Sequence, residues 1–342
     1  MATRLGPAAE ADLTTATATS SSATAPPVRL WLQPTVIALV VVAAFIGCYV
    51  GLQRNPQPHR VPVAVAGQEL SGEISQVLGD SVDVHPVADA ATGRAEVERR
   101  DVVAALSGRA ASDRLRLEIG GANGQSTTTA VKSLIGAYAH ASGQRLTTVD
   151  VVPFARFDSR GLAGFYMAFG VTLAGFVLAQ NVLGLANHLH LHHRFWLLSG
   201  ASVAIGIVAT VIAGPILGAV PAPVMPLAFA LTLLAAAAAF TTKLLGTYLG
   251  PVGVPVATLL LLTVGNSTSG AAIGPDLLPS AAHAVSALLP PGAAVRAVTD
   301  LSYFHGAQAV QPLTTLALWA VIAATLVGLR PRLRRRRTRV TA

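Results

Sequence analysis

Four histidines crowd one short run, NHLHLHHR at 187–194: His188, His190, His192 and His193. Imidazoles spaced this densely can ligate Zn²⁺ or Ni²⁺, or titrate near neutral pH as a sensor. The same run also reads as a polar, partly positive interfacial loop, or as the place where a partner ATPase would dock. A second polar group, Gly265-Asn266-Ser267-Thr268-Ser269-Gly270, closes an apolar stretch. Small hydroxyl residues allow helices to approach closely and to hydrogen-bond across their contact. Asn266, Ser267, Thr268 and Ser269 therefore read either as packing or as part of a translocation path or gate.

Other chemistry is sparse. Gly120, Gly121 and Gly124 follow a strand pattern and precede a helix pattern, a fragment of a phosphate cradle without the full G-x-G-x-x-G. No G-x-x-x-x-G-K-[ST] occurs: Lys132-Ser133 follows Val131, and Lys243 follows Thr242. Active transport by this chain would need an ATPase on another subunit. Asp150, Asp158, Asp276 and Asp300 are placed near the outer surface, and the remaining histidines are scattered, so no catalytic constellation is expected, and no enzyme or cofactor. Cys48 is the single cysteine, which rules out an intramolecular disulfide and a cysteine-based metal site.

The elements that hold these groups are mostly apolar. Of 342 residues, 52% are hydrophobic and 12% charged, against about 25% charged in a soluble domain. The net charge of +8 is weighted to the C-terminal tail, with Arg330, Arg332, Arg334, Arg335, Arg336, Arg337 and Arg339 directly after an apolar run. That position favours anchoring at a membrane surface and argues against nucleic acid as the partner.

The organising stretch is 30–53, LWLQPTVIALVVVAAFIGCYVGLQ, uncharged and flanked by Arg29 and Arg54. It is long enough to cross a hydrocarbon core of about 30 Å. Residues 1–28, rich in Ala, Thr and Ser, are expected to be a disordered cytoplasmic tail. Residues 54–158 carry most of the acids and read as a folded α/β domain. Strand patterns at 61–67, 81–87, 114–122 and 146–154 alternate with helix patterns at 69–79, 95–107 and 126–142, which predicts a largely parallel sheet.

Apolar spans then follow at 160–186, 196–217, 227–242, 251–274 and 311–329, with a Pro-punctuated amphipathic segment at 275–307 that reads as re-entrant or interfacial. The predicted fold is thus a polytopic α-helical membrane protein: six transmembrane helices, with an extracytoplasmic α/β domain between helices 1 and 2 and a five-helix region over 160–329. The arginine tail at 330–342 puts both termini in the cytoplasm of a multi-pass plasma-membrane protein. Between 161 and 274 the only charges are Arg194 and Lys243, both read as span ends, so no intramembrane acid is available to an ion-coupled carrier. Gly214/Gly218, Gly246/Gly250 and Gly270/Gly274 fit a helix-pairing spacing, which 31 glycines also produce by chance.

One span, an outer α/β domain and then five spans resembles the permease subunits of ABC-2 type exporters, and more closely the YhgE/Pip (phage-infection-protein-like) branch, of actinobacterial type. The resemblance is carried by VPVAVAG at 61–67, VDVVPFARFDSRGLAGFYMAFGVTLAGF at 149–176 and GNSTSGAAIGPDLLPSAAHAVSALLPPGAAVRAVTDLSYF at 265–304, within a likeness covering most of 35–329. The first extracytoplasmic region is shorter than in many relatives. The resemblance implies a membrane transport protein that lacks its own ATPase domain, contacts membrane lipid, pairs as a homo- or heterodimer and works with a separate ABC ATPase subunit. The alternative is a non-transporting cell-envelope protein whose outer domain binds a ligand or partner, as a phage receptor would.

Overall fold

The computed structural model describes residues 29–54, 56–108 and 113–340. The expected disordered tail at 1–28 lies outside the described residues. The chain divides into a unit ending at Leu39 and a second beginning at Val40. In the first, the described residues are the opening turns of α1 (Arg29–Gln53), whose stretch Leu32–Leu52 is long and apolar enough to cross a membrane.

The second unit opens with the α/β domain. Its elements are β1 (Val61–Ala66), α2 (Gln68–Leu78), β2 (Val82–Val87), α3 (Ala90–Glu98), β3 (Ala104–Gly108), β4 (Arg114–Ile119), α4 (Gln125–Ala141) and β5 (Arg145–Asp150). The sheet order is β2-β1-β3-β4-β5, parallel except where β3 meets β4. The sheet therefore has five strands where four were expected, because the predicted helix 95–107 stops at Glu98 and its second half is β3. Val97, Val102, Ala105 and Leu106 satisfy a helical spacing, yet Arg100 sits at φ 67°. That left-handed conformation cannot continue a helix.

Beyond it, Ala104 and Leu106 point to one face of the sheet and Ala105 to the other, the period of a strand buried on both sides. Val61, Val63, Val65, Leu115 and Leu117 pack with Leu70 and Ile74 of α2 and Val131 and Ile135 of α4. On the opposite face, Ala64 and Ala105 pack with Val97 of α3, with Val152, and with Phe304 from far along the chain.

Tyr138 completes the first core, and its hydroxyl donates to Glu73 Oε2 at 2.8 Å. Burial first, then the Glu73 carboxylate, push the phenol up to about 12. A raised acid pKa contributes stability that is complete below the unfolded value of about 10 and is lost as pH climbs through the folded value. Tyr138→Phe should cost about 1 kcal/mol at neutral pH. It should also remove part of the alkaline loss of stability, read by unfolding curves taken across that range.

The helical region contains α5 (Ala163–Gly184), α6 (Leu191–Val211, continued by a π turn at Ile212–Ile216) and α7 (Val224–Leu249). After a 3-10 turn come α8 (Gly253–Ala257), a π stretch (Thr258–Val264), α9 (Gly265–Ser267), α10 (Ser280–Leu288), α11 (Pro290–Tyr303) and α12 (Val310–Val340). Among the described residues, five runs are long and apolar enough to cross a membrane: Leu32–Leu52, Ala163–Gly184, Leu191–Ile216, Val224–Ser267 and Val310–Leu329. This build suggests a membrane protein.

Two of the six expected spans, 227–242 and 251–274, fall in the single run Val224–Ser267. That run is not straight. Gly250 adopts φ 61° and ψ −132°, and a Cβ added at Gly253 would collide with the Leu245 carbonyl. Backbones eight residues apart touch only if the chain doubles back, since a straight helix would separate them by about 12 Å. The returning helical segment, 253–267, is shorter than the predicted fifth span.

α7 is the centre of the bundle. Leu227, Leu231, Leu234 and Ala235 are fully buried, in a core shared with α5, α11 and α12. Thr241, Thr242 and Lys243 are buried as well. Lys243 thus lies inside α7, not at a span end as its sequence position implied. The glycine spacings are not used as paired motifs either. Of the six, Gly246 meets a neighbouring helix, at Leu183 of α5, whereas Gly218, Gly250 and Gly270 have positive φ and shape turns. Close helix approach is carried instead by Gly175 and Gly206, whose added Cβ atoms would lie 2.7 Å from the Ala235 carbonyl and 2.6 Å from the Thr232 amide nitrogen of α7.

Candidate functional site

The segment after the amphipathic stretch begins forms a hairpin. α10 ends at Leu288, Pro290 and Pro291 open α11, and fixed proline φ angles suit a helix's first turn. The hairpin tip is held against the bundle, with Leu289, Pro290 and Pro291 buried and Leu288 exposed. Trp319 Nε1, about 14 Å along α12 from Val310, donates to the Leu288 carbonyl at 2.8 Å. Pro291 lies against Gly265, where an added Cβ would come within 2.8 Å of its ring. Arg296 then satisfies the open end of α10: its guanidinium donates to Ser286 Oγ at 3.1 Å and to the carbonyls of Ser286 and Ala287 at 3.0 and 3.1 Å. A helix C-terminus leaves carbonyls without partners, and a cation there complements the helix dipole.

Asp300, one turn further along α11, is fully buried. Its Oδ2 accepts from the Gln308 amide at 2.7 Å, and its Oδ1 faces Arg100 Nη1 at 3.6 Å. Arg100 comes from the α/β domain, where its left-handed turn ends α3. It also donates to the Arg296 carbonyl at 3.2 Å and stands 5.2 Å from the centre of the Phe304 ring. Burial lowers the Arg100 pKa against the pull of Asp300, and burial raises that of Asp300 against the pull of Arg100. Asp276 is also raised by burial, with His283 and Arg100 opposing.

Further ties surround this pair. Gln308 Nε2 donates to Asp101 at 2.9 Å, Ser126 Oγ to the Ala272 carbonyl at 3.0 Å, and the His59 amide to the Asp276 carbonyl at 2.9 Å. Phe154 meets Tyr303 edge to face at 5.8 Å. Between these contacts lies a cavity of about 50 Å³, lined by Arg100, Asn123, Asp158, Ser269, Arg296 and Tyr303 among others. Among the described residues, the buried Asn123 side-chain nitrogen has no hydrogen-bond partner. The site is thus a polar junction between the sheet domain and the hairpin.

The residues singled out from sequence meet this junction unevenly. Asn266 is buried, and its Nδ2 donates to the carbonyls of Leu261 and Leu262 at 3.3 and 3.4 Å. Ser267 and Thr268 bond the Val264 carbonyl, and Ser269 bonds the Asn266 carbonyl. These side chains bond carbonyls at the end of a π stretch, and two of those carbonyls also accept backbone amides, Val264 from Thr268 at 3.0 Å and Asn266 from Ser269 at 3.2 Å. Ser269 alone of the four also lines the cavity. Asp158 and Asp300 are both buried here. Asp158 accepts from the amides of Leu162 and Ala163 and so caps α5.

The glycine fragment does not form a phosphate cradle. Gly121 donates its amide to Asp150 Oδ1 at 2.9 Å, and Gly274 packs against Thr127 in the first turn of α4. Of the four histidines placed in a loop, His190 is the N-cap of α6 and His192 and His193 are in its first turn. The rings of His192 and His193 are 3.8 Å apart, and His190 stacks 6.0 Å from His192. Among the described residues, no group of three or more His, Cys, Asp or Glu is arranged to hold a metal ion. α12 continues as helix to Val340, while the side chains of Arg330, Arg332, Arg334, Arg335, Arg336, Arg337 and Arg339 lie outside the described residues.

Sequence reading missed the Arg100–Asp300 pair and the role of Arg296. One signal was present: Arg296 and Asp300 are the two charges in GAAVRAVTDL, four residues apart. That spacing suggests a pair within one helix, whereas each finds its partner elsewhere. No family model matches the chain, and no curated protein or solved structure is significantly similar to it.

Proposed function

We propose that this chain is the permease-like subunit of an ABC-2 type exporter of the YhgE/Pip kind, without an ATPase domain of its own. In this reading Val224–Ser267 enters and leaves the bilayer, giving six crossings. The α/β domain stands outside the plasma membrane, both termini lie in the cytoplasm, and 280–303 is a re-entrant hairpin. The observation that carries the proposal is the junction of Arg100 with Asp300 and the Arg296 carbonyl. It couples the α/β domain to a hairpin whose tip is seated against the apolar helices, the connection that a substrate-gating outer domain would need. The chain would act as a homo- or heterodimer, with a separate ATPase docking at its cytoplasmic side near the start of α6.

The test is affinity purification of the tagged full-length protein in mild detergent, with mass spectrometry of what accompanies it. A stoichiometric ATPase, and ATP-dependent export in vesicles that carry both proteins, is the expected result. Recovery of the protein alone or with envelope proteins only would move the reading to a ligand- or partner-binding envelope protein.

A further inference from the structure

A second hollow lies between α5 and α6. Its volume is about 700 Å³, within the roughly 300–1,000 Å³ of small-molecule sites. It exists because the facing residues are small: Gly170 and Ala174 on α5, Ala204 and Ala209 on α6. Val171 and Ala213 are buried and form its floor, and α6 ends beside it in the π turn that contains Pro215. Among the described residues, the Tyr166 hydroxyl is the one polar side-chain group on its wall, and no wall residue is charged. The groove runs along α5 from Ala163 to Ala174, about 16 Å.

The end of the groove nearest the α/β domain is different. Leu217 and Ala219 line it there, and between them a Cβ on Gly218 would come within 3.3 Å of the Phe157 ring. The Arg156 guanidinium lies 5.7 Å from the centre of that ring. Arg156 and Arg160 are both exposed, and among the described residues neither forms an ion pair. The nearest acid in sequence, Asp158, is buried and accepts from the first amides of α5. The Arg156 guanidinium therefore lies at the Leu217–Ala219 end of an uncharged groove between two apolar helices, and Arg160 is exposed three residues before Ala163 on the groove wall.

We infer that the α5–α6 groove binds an anionic phospholipid of the surrounding leaflet, one acyl chain lying against Gly170, Ala174, Ala204 and Ala209 and the phosphate meeting Arg156 and Arg160. A neutral or zwitterionic lipid satisfies the apolar wall alone. A phosphate diester adds two charge-assisted contacts, and an arginine beside an aromatic ring suits that role. The inference requires membrane embedding and does not depend on the exporter reading.

The experiment is native mass spectrometry of the purified full-length protein, titrated with palmitoyl-oleoyl phosphatidylglycerol or with phosphatidylcholine of the same chains. Phosphatidylglycerol should bind about tenfold more tightly, which is about 1.4 kcal/mol. Arg156→Glu/Arg160→Glu should abolish that preference while leaving residual binding of both lipids; these side chains are exposed, so the fold is retained. Ala174→Trp, which fills the groove, should remove binding of both lipids from a protein that still elutes as a single species. Equal binding of the two lipids, or an unchanged preference in the double glutamate variant, would overturn the inference. So would a dimer whose formation excludes lipid and is broken by Ala174→Trp, because a second copy would then be the occupant.

Discussion

Arg100→Leu is expected to destabilise the protein by about 3–5 kcal/mol, because it strands the buried Asp300 carboxylate without its counter-charge. The Asp300 side chain is 1% exposed and that of Arg100 19%, so solvent screens this pair little. Asp300 Oδ2 keeps its bond from the Gln308 amide, but among the described residues Oδ1 has no hydrogen-bond donor to replace the guanidinium. The variant should also respond to acid in a particular way. Burial already raises the Asp300 pKa, and Arg100 opposes that rise. Removing Arg100 lifts it further.

A carboxylate with a raised folded pKa contributes stability that is complete below the unfolded value of about 3.9 and is lost as pH rises through the folded value. Arg100→Leu should therefore regain stability on acidification from neutral pH more than the parent does. Arg100→Leu/Asp300→Asn should regain most of it at neutral pH, since the amide keeps an acceptor for Gln308. Thermal unfolding in detergent across pH 4–8 measures all three proteins. A single-variant loss below about 1 kcal/mol, the range of exposed pairs, would show that the junction does not hold the fold.

The second large effect is expected at Gly206. A leucine there meets the Thr232 amide nitrogen and the Ala228 carbonyl of α7, at 2.6 and 2.9 Å from the new Cβ. Backbone cannot turn aside as a side chain can, so α6 must move off the central helix. Overpacking costs about 1–3 kcal/mol when neighbours can relax, and Gly206→Leu should exceed that and sharply reduce the yield of monodisperse protein. Gly200→Leu is the control, on the same helix with nothing within 4 Å of its added Cβ. Equal behaviour of the two variants in size-exclusion chromatography and thermal unfolding would refute the close packing of α6 on α7.

The contrast between these glycines explains what the sequence made legible. Apolar runs reveal helices because hydrophobicity is summed over twenty residues, and the runs at 30–53, 160–186, 196–217 and 311–329 all correspond to apolar helices of membrane length. They do not reveal which glycine touches a neighbour, since that depends on rotation about the helix axis. Gly-x-x-x-Gly spacing pointed to Gly214/Gly218, Gly246/Gly250 and Gly270/Gly274, of which Gly246 meets the Leu183 side chain of α5, whereas Gly175 and Gly206 make the close contacts with the α7 backbone. In the α/β domain, alternation found β1, β2, β4 and β5. β3 was hidden because Val102, Ala105 and Leu106 also fit a helix, and the turn that decides between the two falls on Arg100, a residue type that does not announce a left-handed turn, closed by the Arg100 and Asp101 amides on the carbonyls of Val97 and Glu96 at 3.1 and 2.9 Å. The junction was illegible because its charges are brought together by the fold and not by spacing.

Phe304 also bears on the order in which the protein can be built. It is 1% exposed and packs with Ala64, Val97, Ala105 and Val152, all of which leave the ribosome at least 150 residues earlier. One face of the sheet is covered only in part, by α3, until the last hairpin has been made and inserted. For that interval the nascent chain presents an apolar surface of the kind that aggregates or recruits chaperones. Synthesis that stops before residue 290 would leave a product marked for degradation although every strand is present. Completion of the helical region thus closes the core of a domain whose strands are made long before it.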